Sequence, residues 1–172
     1  YKKPWLPGDT VSASIGQGYF LATPLQVANA TAILANAGNH LTPHLLSKTT
    51  GAVKYSPANK PDGKIPFRGT EQDWLNMQTA MELTVKSGTA KGVYTERYRL
   101  AGKTGTAQVK SIAQGKRYNE AALSERHRDH GWFIAFAPVD NPQIAVAVIV
   151  ENGRGGSKVA PIARKAIDYW LL

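Results

Sequence analysis

The sequence predicts an α+β domain, an antiparallel sheet flanked by helices. Three observations predict it. Two capped helical segments come first, three strand-like runs follow with a proline-rich turn between the last two, and an amphipathic segment closes the chain. Strands joined by a short turn pair antiparallel, and helices grouped apart from strands stack on the faces of such a sheet. At 172 residues the chain fits one domain, large enough to bury about 70% of its unfolded surface.

Gly8 to Gly18 is glycine-rich without a helical period, which predicts loop or short extended structure. Thr23 then reads as an N-cap, with Pro24 at N1 and Gln26 at N3 completing a capping box. Leu25, Ala28, Ala32 and Ala35, widened by Ile33 and Leu34, form that helix's apolar stripe, and Gly38 is placed to end it in a left-handed conformation. Ser47 to Gly69 reads as a long connection that could include a hairpin, and such loops often border sites. A second helix is predicted from about Thr70 to Ser87. Trp74, Met77, Met81 and Val85 are its stripe, Glu71 and Asp73 suit its positive end, and Gly88 stops it. Met and Trp in that pattern indicate core rather than a ligand set.

Leu100 to Val109 and Gly131 to Pro138 read as strands. The charged connection between them carries a helical expectation over Tyr118 to Asp129. Pro138-Val139-Asp140-Asn141-Pro142 is a turn by composition. The third strand, Gln143 to Glu151, is apolar almost throughout, which predicts cover on both faces. The last helix carries Ile162, Ala166, Ile167 and Trp170, with Pro161 expected in its first turn.

The formal net charge is +9 and there are no cysteines. Disulfides and thiol chemistry are thereby excluded. The Lys and Arg are dispersed and no nucleic-acid signature accompanies them, so the charge reads as a solvated basic surface with no nucleic-acid partner. No run of about 18 apolar residues is present to span a bilayer. Starting without methionine and in loop-like sequence, the chain reads as an excised or processed piece.

The sharpest chemical signal is Lys103-Thr104-Gly105, followed by Thr106, in a predicted strand. A chain this long carries K-T-G by chance about 4% of the time, so context matters. Lysine supplies fixed positive charge at neutral pH. The hydroxyls of Thr104 and Thr106 can donate to a carboxylate. Gly105 keeps side chain away from a strand edge, and such an edge can pair with an extended peptide and aim a backbone N–H at a tetrahedral oxyanion. His127 and His130 with Glu125 and Asp129, and His40 with His44, have ligand-like residue types. Pro43 disfavours one shared helix for the latter pair, and all four histidines are assigned to surface or supporting positions, with no metal and no cofactor.

K-T-G is one of three motifs shared by penicillin-binding proteins and class A β-lactamases. Gly16-Gln17-Gly18 and Thr23-Pro24-Leu25-Gln26 with Ala28 resemble the G-Q-G…T-P-x-Q-x-A segment of class B penicillin-binding proteins. Lys103 to Gln108, Arg128-Asp129-His130, Ala135 to Pro138 and Glu151-Asn152-Gly153 resemble the cell-elongation branch of that family, and Gln17 favours it over the division paralogue. These blocks follow the family's order over essentially the whole chain.

The resemblance implies the penicillin-binding/serine β-lactamase-like fold and a peptidoglycan D,D-transpeptidase. In such enzymes a serine attacks the D-Ala-D-Ala stem peptide and a neighbouring amine resolves the acyl-enzyme. β-Lactams acylate the same serine. By resemblance Lys103 is the catalytic cation of the third motif, Thr104, Gly105 and Thr106 bind substrate, and the Thr106 N–H is an oxyanion donor. The expected setting is the periplasmic face of the inner membrane, held by an N-terminal anchor absent here. Stem peptides, a polytopic glycan polymerase and scaffold proteins of the elongation machinery are the expected partners.

The departure from the family is large. No serine has a lysine three residues on, and no S-x-N occurs. Both motifs precede this segment in the family, so residues 1–172 are expected to be the C-terminal portion of the transpeptidase domain, inactive alone. The rivals are a serine β-lactamase or β-lactam sensor, against which the G-Q-G and T-P-x-Q blocks count, and a non-enzymatic basic binding module.

Overall fold

The computed structural model describes residues 4–50, 61–110, 119 and 123–172. Its first helix, α1 (Pro7–Ser14), occupies the stretch expected to be loop. The missed signal is a capping pair without a serine or threonine. Pro7 opens the first turn, and Asp9 Oδ2 accepts from the Leu6 N–H at 2.8 Å. None of its residues is buried, so no apolar period was there to read.

Helix α2 (Pro24–Ala35) forms as expected. Thr23 Oγ1 accepts from the Gln26 N–H, and Gln26 Oε1 accepts from the Thr23 N–H at 2.8 Å. Its buried residues are Thr31 and Ala35, whereas Leu25, placed in the stripe, is exposed. Thr31 is accommodated because its hydroxyl donates to the Val27 carbonyl. At the C-terminus the Gly38 N–H reaches the Ile33 carbonyl and the Ala37 N–H reaches Leu34. That is a Schellman ending. Its left-handed residues are both Ala37 (φ 49°) and Gly38 (φ 87°).

Strand β1 (Asn39–His40) pairs antiparallel with β2 (Gly63–Lys64), so the long connection folds back on its own beginning. Helix α3 (Glu71–Lys86) buries Trp74, Gln78, Met81, Glu82 and Val85. Met77, expected in the stripe, is exposed, and two polar residues take the buried face instead. Both are satisfied. Gln78 Nε2 donates to the Leu34 and Ala35 carbonyls at the end of α2. Glu82 receives two hydrogen bonds from Arg99, at 2.9 and 2.7 Å, and pairs with Lys86 at 3.0 Å. The Arg99 guanidinium, with help from Lys86 and against burial, holds the Glu82 carboxyl down at about 2.

The main sheet runs β3 (Ala101–Ala107), β4 (His130–Ala137) and β5 (Ile144–Val150), antiparallel and in that order. The turn from 138 to 142 reconnects β4 and β5 as the composition predicted, closed by a Gln143 N–H to Ala137 carbonyl bond. Strand β5 is covered on both faces as expected, by α4 on one and α2 on the other. Every residue in it is nevertheless only half-buried, because among the described residues it stands at the sheet's edge. Of the helix expected over Tyr118 to Asp129, the described part holds one 3₁₀ turn, Glu125–His127. The remainder of that expectation lies outside the described residues.

Helix α4 (Gly156–Leu171) starts before the position expected, so Pro161 falls in the second turn rather than the first. The carbonyl deprived of its partner is that of Ser157, on the exposed side, where water can serve it. The buried face is Val159, Ala160, Ala163 and Ile167, while Ile162, Ala166 and Trp170 are exposed. Of the expected stripe only Ile167 faces the core. With Phe133, Ala135 and Ala137 of β4 those residues form the larger core cluster, joined by Val85 near the end of α3 and by Ala90 just beyond it. On the other face Ala101 and Phe136 pack with Ala35 of α2 and Met81 of α3. Phe133 and Phe136 are fully buried, and truncating either to alanine would cost about 3–5 kcal/mol. Among the described residues no helix is long and apolar enough to cross a membrane.

Candidate active site

Strand β3 is an edge strand, so one side of Lys103 to Thr106 carries no neighbouring strand among the described residues. Its register against β4 pairs Lys103 with Ile134, Thr104 with Phe133, Gly105 with Trp132 and Thr106 with Gly131. Strand alternation puts Thr104 and Thr106 on one face and Lys103 and Gly105 on the other. The four sequence-predicted residues therefore share one strand and one open edge.

The Lys103 ammonium donates to the Thr104 carbonyl at 2.8 Å, and no carboxylate among the described residues neutralises it. In an antiparallel ladder the N–H and C=O of a residue point the same way and alternate along the strand. With the Thr104 carbonyl taken up by this ammonium, alternation puts the Thr106 N–H on the same open side. Lys103 and Thr106 are exposed and Thr104 half-buried. The edge thus offers one fixed cation, two hydroxyls and an outward N–H within four residues. That set suits an anionic, extended peptide.

Glycines let α4 and the strands approach closely around β3. A Cβ on Gly156, the first residue of α4, would stand 2.6 Å from Gly105 N and 2.8 Å from Gly105 O. On Gly131 it would stand 2.6 Å from Val159 Cγ2. A Cβ on Gly105 would meet Trp132 Cβ at 3.1 Å. A side chain on Gly105 would thus ask its cross-strand neighbour to give by a few tenths of an ångström, and would also crowd any peptide on its open side. The positive end of α4 lies directly against this strand, which adds a favourable potential for an anion near Lys103.

The Arg128-Asp129-His130 and Glu151-Asn152-Gly153 blocks clamp the far end of β3. Asp129 Oδ1 accepts from the Val109 N–H at 3.2 Å, and the Asp129 carbonyl accepts from the Arg154 N–H at 2.9 Å. His130 Nδ1 accepts from the Asn152 N–H at 2.9 Å, and Asn152 Nδ2 donates to the Arg128 carbonyl at 2.9 Å. Asn152 is left-handed (φ 56°), a conformation asparagine tolerates. His127 Nδ1 meets Ser124 Oγ, His40 Nε2 meets Asn29 Nδ2, and His44 Nδ1 meets the Leu46 carbonyl. Among the described residues no group of three or more His, Asp or Glu is placed to hold a metal ion.

One polar neighbour escaped sequence reading. Thr89 Oγ1 lies 2.9 Å from Thr104 Oγ1. No spacing rule links residues 89 and 104, and only the packing of the α3 end against the sheet brings them together. A cleft of about 360 Å³ among Glu82, Lys86, Tyr94, Tyr98 and Arg99 includes none of the four β3 residues in its lining.

The penicillin-binding protein transpeptidase domain matches this sequence over residues 1–168. The chain belongs to that family. It is 60% identical over 171 residues to the peptidoglycan D,D-transpeptidase MrdA of Acinetobacter baumannii, covering 99% of this chain and 25% of that protein. The structure of Pseudomonas aeruginosa penicillin-binding protein 2 in complex with WCK 5153 superposes with a TM-score of 0.78 at 40% identity, over 99% of this chain and 34% of that one. Helicobacter pylori penicillin-binding protein 2, solved with MreC, gives a TM-score of 0.74 at 32% identity, over 98% and 29%. The chain thus spans about a quarter of the length of the curated relative it matches (25%), and the α+β architecture expected from the sequence is that of its structural relatives.

Proposed function

We propose that these residues form the carboxylate-binding and oxyanion edge of a peptidoglycan D,D-transpeptidase of the cell-elongation type, a target of β-lactams. The observation that carries this is the open edge of β3, where an ammonium that no carboxylate among the described residues neutralises, two hydroxyls and an outward N–H converge. Residues 1–172 are then the C-terminal portion of the transpeptidase domain, and the nucleophilic serine lies outside them. The setting is the periplasmic face of the inner membrane. The complex of a relative with MreC supports a scaffold partner, and the glycan polymerase partner rests on the sequence resemblance.

The stem peptide lies antiparallel along β3. Its terminal carboxylate takes hydrogen bonds from Thr104 and Thr106, in the field of Lys103 and the α4 N-terminus. The serine hydroxyl gives up its proton as its oxygen adds to the carbonyl carbon of the penultimate D-alanine, and the negative charge collecting on the carbonyl oxygen is met by the Thr106 N–H. Collapse of the tetrahedral intermediate breaks the amide bond and, with that proton delivered to the departing nitrogen, releases the last D-alanine. An amine of a neighbouring stem peptide then attacks the ester, forms the cross-link and returns the serine.

The test is the second-order acylation rate of the full-length protein by a β-lactam. Thr104→Val keeps shape and loses the donor. A hydrogen bond to a charged group contributes about 1.5–3 kcal/mol, so acylation slows roughly 10- to 150-fold. Lys103→Ala slows it more, and Thr106→Val less, since its backbone N–H remains. Wild-type rates for both the Lys103 and the Thr104 variants, with melting unchanged, would make this strand merely structural.

A further inference from the structure

We infer that Thr89 is a positioning residue for the same reaction, acting through Thr104; this rests on the carboxylate-binding reading of β3. The two hydroxyl oxygens are 2.9 Å apart. A hydroxyl has one proton to donate. If Thr104 gives its proton to the substrate carboxylate, the hydrogen bond between the threonines must run from Thr89 to Thr104. Thr89 then fixes the Thr104 rotamer and polarises its O–H toward the anion, since chained hydrogen bonds strengthen one another.

The backbone around Thr89 is built to hold still. On one side the Ser87 and Gly88 N–H groups both reach the Leu83 carbonyl, and on the other the Ala90 N–H reaches Thr84. A Cβ on Gly88 would stand 2.8 Å from Thr84 Cα, so only glycine allows the chain to turn this tightly off α3. Ala90 is 2% exposed and belongs to the same core cluster as Phe133, the cross-strand partner of Thr104. Thr89 is itself exposed. An anchored backbone carrying a solvent-side hydroxyl is the arrangement a fixed donor requires.

The experiment measures second-order acylation by benzylpenicillin in the full-length protein for Thr89→Val, Thr89→Ser, Thr104→Val and the Thr89→Val/Thr104→Val double variant, with melting as the folding control. Thr89→Val is expected to slow acylation by about 2- to 12-fold, the range for a neutral hydrogen bond. Thr89→Ser restores the wild-type rate, and in the Thr104→Val background Thr89→Val changes nothing further. Equal losses in both backgrounds would mean that Thr89 does not act through Thr104 and would overturn the inference, as would a failure of serine to rescue. A slow Thr104→Val beside a wild-type Thr89→Val overturns this inference alone. A wild-type Thr104→Val removes the carboxylate-binding reading and this inference with it.

Discussion

Replacing Gly156 by alanine sets two effects against each other on one carbon atom. Helix propensity alone favours the change by up to about 1 kcal/mol, less at a first-turn position. Packing opposes it. The new Cβ would stand 2.6 Å from Gly105 N and 2.8 Å from Gly105 O, with Trp132 O closer still. All three are backbone atoms with no rotamer to turn. To regain ordinary contact with Gly105 N alone, the helix end must retreat by roughly 0.8 Å. Overpacking of this kind costs about 1–3 kcal/mol, so the net change is a loss of about 1–2 kcal/mol, or a melting decrease of about 2–8 °C for a domain this size. The displaced backbone adjoins the Thr106 N–H, and a misplacement of about 1 Å can cost up to 10²-fold in rate. We therefore expect acylation by a β-lactam to slow by about tenfold or more at temperatures where the variant is folded. Gly155→Ser is the control, because a Cβ there meets nothing within 4 Å. It should leave the rate alone and raise stability by a few tenths of a kcal/mol through capping. Unchanged melting and rate in Gly156→Ala would refute the claim that α4 braces β3.

Two further perturbations test the scaffold. The folded Glu82 carboxyl is depressed from 4.5 to about 2 by Arg99, so its contribution is complete above pH 4.5 and is lost as pH falls toward 2. Arg99→Met should lower the urea-denaturation free energy by about 1.5–3 kcal/mol at pH 7, and the gap to wild type should narrow at pH 3; a gap independent of pH would contradict the assignment. At the end of α2, Ala37→Gly relieves a left-handed alanine and should change stability by about 0 to +1 kcal/mol. Gly38→Ala should instead destabilise, because its φ is 87° and its Cβ would press 2.9 Å from Trp74 Cζ2; equal melting of the two variants would count against that contact.

Local chemistry made parts of this fold legible. The capping box at Thr23, the acidic start of α3 at Glu71 and Asp73, the turn after Pro138 and the three strands rest on interactions within a few residues, and each formed where its residues stand. Burial was legible only where apolar periodicity and tertiary contact agree. Gln78 and Glu82 entered the core because carbonyls of α2 and Arg99, far off in sequence, satisfy them. Met77 was displaced by the same geometry. The start of helix α4 was not legible because a glycine pair disfavours helix by propensity, whereas Gly156 is a helical residue that only a glycine allows so near β3. At the site, Lys103 to Thr106 were legible because one strand carries them all. Thr89 was not, because its link to Thr104 exists only through the packing of the α3 end.

Mapping the covalent label tests the central claim most directly. The full-length protein is treated with a fluorescent penicillin, digested, and the modified peptide identified by mass spectrometry, beside residues 1–172 expressed alone. The account predicts one labelled serine outside these 172 residues, no label on the isolated segment, and label lost or slowed by Lys103→Ala. A stoichiometric adduct on any serine within residues 1–172 would contradict it.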